Sequence, residues 1–413
     1  MPVEALKRAL PMLISLALLA IGSNLVASLV GLQMSRREFP EWSLGLIAAG
    51  FALGGILGAN TAPQAVARVG HLHSFAAFAA LLACIVLSHA LLTSPASWMA
   101  LRLATGIFYY GLVLIAESWL NGAVDDRSRG KVLGVYMLVF FASGAAGQLL
   151  LGLGTDRDFE LFVIGGMLLA LSVVPISLMG HAEAEQEHYE PVPLSSLIVE
   201  KPLPTFGAFA AGIVIGTFYA LGAVYADRQG LTTTEVSLFM SLVILGALVF
   251  QWPLGWLSDW APRLHVTAAA ALATCLCGLA ITLIEDRTWL FSLAFVFGGA
   301  AFSLYPLNLA HACDRVPRGQ MVGLSRSFLT ILAAGAAAGP LFAGVLLTVV
   351  GTAIIFYLPA AAAAMLVLTA PFQPVLPLFA KRLFVSVPLH SLSGSSLDPR
   401  QSARHRRLPK SSR

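Results

Sequence analysis

Two side chains of opposite charge, Arg102 and Glu117, stand inside one apolar stretch of this 413-residue chain. A charge inside a bilayer costs at least about 2.5 to 3.5 kcal/mol, so such residues usually face a watered cavity and mark a transport path. Fifteen residues of α-helix span roughly 22 Å, so the two side chains cannot pair with each other directly. Each needs another partner or water.

Glu117 is the candidate for carrying a proton. Removal from water favours the neutral form of a carboxyl group, which lets such a group load and release a proton. The alternative is that Glu117 lies near the membrane surface and acts as a helix cap or as the gate partner of a basic loop residue. Arg102 is a candidate for the cavity wall, where it would bind an anionic group or modulate the proton site. Its alternative role is that of a structural arginine bonded to backbone carbonyls.

Other polar side chains inside apolar runs are candidates for the same cavity. Tyr109 shares a helical face with Arg102 and Glu117 at 100° per residue. The remaining candidates are Asn24, Gln148, Tyr219, Tyr305 and Asn308. For each of these, hydrogen bonding between helices is the alternative, because such side chains commonly join transmembrane helices. His311 is a second candidate for proton relay.

The elements that must position these residues are membrane-spanning helices. Hydrophobic residues make up 58% of the chain and charged residues 11%, whereas a soluble domain has about 25% charged residues. Runs free of Asp, Glu, Lys and Arg recur between Ala9 and Ala380, and a span needs about 20 residues. The last run divides at Gly351, and the Arg102 helix completes a set of twelve. The sequence therefore predicts an all-α, polytopic membrane protein with twelve transmembrane helices.

The basic residues predict the orientation. With both termini cytoplasmic, the inner segments hold 19 of the 25 Lys and Arg residues, against five outside. Leaving out the eight in the C-terminal tail still gives 11 against five, so the positive-inside rule selects this topology. The formal charge of +4 is then a topology signal, and no nucleic-acid partner is expected.

The chain also repeats itself. The segment Asp125 to Gly130 (DDRSRG) recurs as Asp314 to Gly319 (DRVPRG), 189 positions later, and the same offset carries Gly134 onto Gly323. This repeat predicts two pseudo-symmetric six-helix bundles, 1–181 and 204–372. Residues 182–203 are predicted to form a cytoplasmic linker, and residues 373–413 a disordered, basic cytoplasmic tail.

Several motifs identify the scaffold. Arg102 and Gly106 begin the fourth span as R-x-x-x-G, and Arg129-Gly130 enters the fifth. A loop between spans eight and nine reads GWLSDWAPR, from Gly255 through Asp259 to Arg263. These features resemble the major facilitator superfamily and its cytoplasmic G-x-x-x-D-R-x-G-R loop.

The resemblance has a gap in the first half of the chain. The counterpart loop there has Ala67 where the motif has Asp. By resemblance, Asp259 lies near Arg129 at the start of the fifth span, and a cytoplasmic gate is formed by Gly255, Asp259, Arg263 and Arg129. We therefore expect an asymmetric gate, in which Asp259→Ala impairs switching between conformational states more than it impairs substrate binding.

Within that superfamily the chain most resembles the YcaD-like bacterial transporters. The resemblance is carried by Glu117-Ser118, by Arg129-Gly130 with Tyr136, and by two further segments, QWPLG at 251–255 and GAAFSLYP at 299–306. It implies a multi-pass protein of the bacterial cytoplasmic (inner) membrane. The motifs leave the substrate open, because function lies in the site and not in the fold.

The function expected is secondary active transport of small organic solutes by alternating access, coupled to protons, with the direction unassigned. The alternatives are a proton-antiport exporter of amphiphilic, drug-like compounds and a non-transporting membrane sensor. H-E-x-x-H, G-x-S-x-G and paired in-span aspartates are absent from the sequence, so an enzyme is not expected. The expected partners are a small-molecule substrate and the lipid bilayer, with no cofactor or metal, and the protein is expected to be a monomer.

Overall fold

The computed structural model describes residues 2–123, 126–154, 159–178, 193–194, 197–198, 201–314 and 321–372. These residues are almost entirely helical and contain no β-strand. The helices are α1 (Pro2–Arg36), α2 (Glu41–Leu91), α3 (Pro95–Ala123), α4 (Asp126–Leu150), α5 (Phe159–Leu171), α6 (Val173–Ser177), α7 (Pro202–Arg228), α8 (Thr233–Trp260), α9 (Arg263–Ile281), α10 (Arg287–Cys313), α11 (Met321–Val350) and α12 (Ile354–Thr369).

Twelve membrane crossings can be assigned to these helices. Ten helical segments of the described chain are long and apolar enough to cross a bilayer, with α5 and α6 forming one crossing, and the 16-residue α12 adds a shorter one. Helix α2 is 51 residues long, roughly 76 Å, which is enough for two crossings. It breaks at Gly70, whose φ of 80° and ψ of 171° are not helical. Because a positive φ is strained for other residues, glycine suits this break.

The two halves repeat their helix contacts at an offset of 192 positions. In the first half, a Cβ added at Gly54 would clash with the carbonyl oxygen of Leu103, and one added at Gly106 would clash with that of Phe51. In the second half the same relation holds between Gly246 and Phe295 and between Gly298 and Val243. Small residues allow such close helix contact in membranes. The predicted pseudo-symmetry is thus present in the packing of α2 on α3 and of α8 on α10.

The halves meet through α1 with α7, α2 with α11, and α4 with α8. At one end, called here the Arg36 end, ion pairs cross between the halves. Arg36 Nη2 lies 3.0 Å from Asp227 Oδ1, and Arg228 Nη1 lies 3.0 Å from Glu41 Oε1. Helices α1 and α7 each end in one of these arginines, so the two ion pairs form a reciprocal clasp.

The predicted domain boundaries stay predictions. Most of the predicted linker 182–203 and all of the predicted tail 373–413 lie outside the described residues.

Candidate functional site

A cavity of about 690 Å³ lies between the two halves. Residues of α1 to α5 line it from the first half, and residues of α7, α10 and α11 line it from the second. Its volume falls in the range of about 300 to 1,000 Å³ that is typical of small-molecule sites. Among the described lining residues the charged ones are Arg102, Glu117 and Arg326.

Glu117 lies on the cavity wall and is 7% exposed. Its Oε1 accepts a hydrogen bond of 2.7 Å from the Tyr136 hydroxyl, which α4 supplies. The neighbouring Ser118 Oγ lies 3.1 Å from His71 Nε2, just after the break in α2. A buried carboxyl beside a hydroxyl and an adjoining cavity has the geometry needed to exchange a proton with the cavity.

Arg102 also lines the cavity and is 5% exposed. Its guanidinium carbon lies 4.6 Å from the centre of the Phe51 ring, within cation–π range. Its buried Nε has no hydrogen-bond partner among the described residues. The alternative role was that of a structural arginine bonded to backbone carbonyls. No backbone carbonyl of the described chain bonds this Nε.

The three charged groups lie at different depths. Glu117 lies fifteen residues beyond Arg102 on α3, roughly 22 Å along the axis. On the other half, Arg326 Nη2 lies 3.4 Å from the carbonyl oxygen of Ala59. Ala59 follows Phe51 by eight residues on α2, or roughly 12 Å. Arg102 is therefore nearest the Arg36 end, and the Arg326 guanidinium lies between the levels of Arg102 and Glu117.

Four of the other predicted wall residues do line the cavity: Asn24, Tyr109, Tyr219 and Tyr305. Asn24 Nδ2 donates to the carbonyl oxygen of Ala20 at 2.9 Å. The Tyr305 hydroxyl is buried and has no hydrogen-bond partner in the described chain. The cavity thus gathers residues from four helices that are far apart in the sequence.

Two predicted wall residues lie elsewhere. Gln148 is fully buried, does not line the cavity, and donates through Nε2 to the carbonyl oxygen of Asn24 at 3.1 Å. Asn308 does not line the cavity either; its Nδ2 donates to Leu304 O at 2.8 Å, one turn earlier in α10, and its side chain packs on Gly207 of α7. The Gln148 contact matches the alternative of a hydrogen bond between helices, whereas the hydrogen bond of Asn308 lies within its own helix. His311 is half-buried near the end of α10 and does not line the cavity either.

The predicted gate motif lies at the opposite end from Arg36. Arg263 Nη2 lies 3.6 Å from Asp259 Oδ1, and its Nε lies 3.0 Å from Asp314 Oδ1. Gly255 is one turn before Asp259, and its carbonyl oxygen accepts a hydrogen bond of 2.7 Å from Ser258 Oγ. The side chain of Arg129 lies outside the described residues, so its predicted proximity to Asp259 stays a prediction.

The sequence interpretation missed two residues of the site. In the sequence Arg326 is one of the 19 basic residues assigned to the inner segments, and it directly precedes a long charge-free run. Its helix starts at Met321, so Arg326 lies more than one turn inside α11. Tyr136 was noted only in a motif, and its spacing alone could not reveal its hydrogen bond to Glu117.

A twelve-crossing helical bundle with a central cavity shared by two repeated halves defines a class, the polytopic membrane transporters. The sequence profile of the Major Facilitator Superfamily matches residues 12–334, and the chain belongs to that family.

Two relatives agree with this assignment. The chain is 27% identical over 339 residues to an uncharacterized MFS-type transporter of Enterobacter sp. (strain 638), covering 81% of this chain and 88% of the relative. It is 25% identical over 338 residues to the uncharacterized MFS-type transporter YcaD of Escherichia fergusonii, with the same coverage.

Two solved structures share the fold. The nucleoside transporter NupG has a TM-score of 0.74 at 13% identity, covering 88% of this chain and 98% of that one. A D-xylose-proton symporter has a TM-score of 0.67 at 13% identity, covering 88% and 96%. These likenesses concern the fold alone, since both identities are low.

Proposed function

We propose that this chain is a proton-coupled secondary transporter of small organic solutes, in which Glu117 carries the proton. One observation carries the proposal: Glu117 is a buried carboxyl on the wall of the cavity shared by the two halves, hydrogen-bonded to Tyr136. That the D-xylose-proton symporter has the same fold is consistent with proton coupling but does not define the cargo.

The coupling follows from the energetics of a buried charge. An ionised carboxylate in a cavity that is closing loses water, and the low-dielectric surroundings penalise the charged form. A proton on Glu117 removes that penalty, so the protonated carrier can change state more readily than the ionised one. Proton uptake on one side and release on the other would then bias the cycle.

The proposed setting is the bacterial cytoplasmic membrane, with both termini in the cytoplasm. The Arg36 end then faces outward and the Asp259 end faces the cytoplasm. The clasp of Arg36, Asp227, Arg228 and Glu41 would close the outer side in this conformation. Bundles 1–181 and 204–372 would rock about the central cavity in a monomer.

A transport experiment on reconstituted protein tests the proposal. A metabolite library is first screened for thermal stabilisation of the purified protein, and the strongest stabiliser is used in radiolabelled form. Glu117→Gln should abolish accumulation driven by a pH gradient while retaining counterflow exchange, which needs no net proton movement. Glu160→Gln is the matched control, because Glu160 is exposed at the start of α5. If Glu117→Gln accumulates substrate at the wild-type level, the proposal is wrong.

Export of amphiphilic compounds is the second candidate, and the aromatic lining favours it. Phe51, Phe140, Phe141 and Phe302 all face the cavity and suit an apolar cargo. The direction of the proton gradient that drives accumulation distinguishes symport from antiport in the same vesicles. A symporter accumulates substrate when the proton gradient points inward, whereas an antiporter accumulates it when the vesicle interior is acidic.

A further inference from the structure

We propose that Arg102 forms an anion-binding subsite in the cavity and takes the carboxylate of a planar organic anion. This inference rests on the proposed function, because it names the substrate class of the same cavity. It replaces the wider set of neutral, zwitterionic or charged cargo that one cation and one carboxylate would allow.

The Arg102 guanidinium is built to accept a ligand. Arg102 as a whole residue is 5% exposed, and it lies on the cavity wall. Phe51 covers one face of it, and its buried Nε lacks an acceptor in the described chain. Buried donors are nearly always hydrogen-bonded, and a guanidinium matches the two oxygens of a carboxylate in a bidentate pair. An anionic ligand in the cavity would compensate the charge of this guanidinium.

The charge of the cavity favours an anion. Its described lining residues include two arginines, Arg102 and Arg326, and one carboxylate, Glu117. When Glu117 holds a proton, as the proposed function requires, only the two cations remain charged. A pocket with low-dielectric walls and charges of one sign attracts counter-ions strongly. The cavity would thus hold an anion best when the proton site is loaded.

The walls beside Arg102 select for a flat apolar body. The Phe51 ring lies 5.7 Å from Tyr109 and 5.4 Å from Tyr110, measured between ring centres. On the second half Tyr219 and Phe302 are paired at 5.6 Å, and all five residues line the cavity. Rings stack favourably on such side chains. An acid attached to an aromatic or other planar ring fits both features.

A charge series on one ring tests the proposal with the full-length purified protein. The probes are benzoate, benzamide and benzylamine, which share a ring and differ in charge. The readout is the probe concentration needed to raise the melting temperature of the protein. We expect benzoate to act at a concentration at least tenfold lower than either counterpart. Arg102→Gln should remove this preference, and Arg102→Lys should retain part of it, because the charge stays but the bidentate fork is lost. Arg8→Gln is the control, since Arg8 is exposed near the N-terminus.

Two results would overturn the subsite: equal stabilisation of the wild type by benzoate and benzamide, or a benzoate preference that survives in Arg102→Gln. Should Arg102→Gln fail to fold, the same reading is taken from Arg102→Lys, where an undiminished preference also overturns it. Glu117→Gln keeps Arg102 and should keep the preference for benzoate. Glu117→Gln therefore tests proton coupling, whereas Arg102→Gln tests anion binding, and the two proposals can fail independently.

Discussion

The contact between α1 and α7 near the Arg36 end leaves no room for a methyl group at Gly31. A Cβ added there would lie 2.5 Å from the carbonyl oxygen of Ala220, whereas ordinary contacts are 3.4 to 4 Å. Gly31→Ala would therefore force the two helices apart by about 1 Å, and overpacking of this kind typically costs about 1 to 3 kcal/mol. The clash involves backbone and cannot be relieved by a rotamer change.

The expected result is a shift between conformations. If α1 and α7 separate at this end when the carrier changes state, the penalty falls only on the closed conformation. A difference of about 1 to 3 kcal/mol changes the ratio of two states by about 5- to 150-fold. Gly31→Ala should thus favour conformations in which the Arg36 end is open.

Distances between spin labels measure this shift. Spin labels are attached to cysteines in the variants Trp42→Cys on α2 and Val349→Cys on α11, at positions that are 55% and 83% exposed. The four native cysteines are replaced by serine. Gly134→Ala is the matched control, because a Cβ at Gly134 meets nothing within 4 Å. A longer distance should gain population in Gly31→Ala but not in Gly134→Ala. Identical distance distributions for the wild type, Gly31→Ala and Gly134→Ala would show that the Gly31 contact does not control opening of the Arg36 end.

Two further predictions concern the ends of the bundle. Asp227→Asn removes the carboxylate charge that pairs with Arg36, whose side chain is 32% exposed; such partly exposed pairs contribute about 0.2 to 1 kcal/mol. The same labels should therefore show at most about a fivefold shift toward the open end, and a much larger shift would contradict the assignment of this pair as a weak clasp. Asp259→Ala breaks the cluster with Arg263 and should slow substrate exchange in vesicles while leaving ligand affinity unchanged; exchange at the wild-type rate would count against its gating role.

The fold could be predicted because the bilayer imposes strict rules on sequence. Charge-free runs of about 20 residues mark most of the spans, and the apolar helices of the described chain follow them, whereas α3 holds Arg102 and Glu117. The repeat was visible in the sequence at an offset of 189, in segments that include the first turns of α4 and α11, whereas the helix contacts repeat at 192.

The site could be predicted only where burial is costly. Arg102 and Glu117 stand out because a charge in an apolar run needs a reason, and both line the cavity. Gln148 and Asn308 could not be sorted by sequence, because an amide can satisfy itself on a neighbouring backbone as well as on a cavity wall. The position of Arg326 on the cavity wall was not predicted, because the sequence does not show how far inside the membrane a helix begins.

Infrared spectroscopy of the purified protein in lipid measures directly whether the carboxyl group of Glu117 takes up a proton inside the cavity. Spectra recorded across a pH series contain the carbonyl stretch of every carboxyl group that becomes protonated, and subtraction of the Glu117→Gln series isolates one of them. We expect a protonated-carboxyl band that appears on acidification in the wild type and in Glu160→Gln but is missing from Glu117→Gln. Superimposable series for the wild type and Glu117→Gln would contradict this expectation.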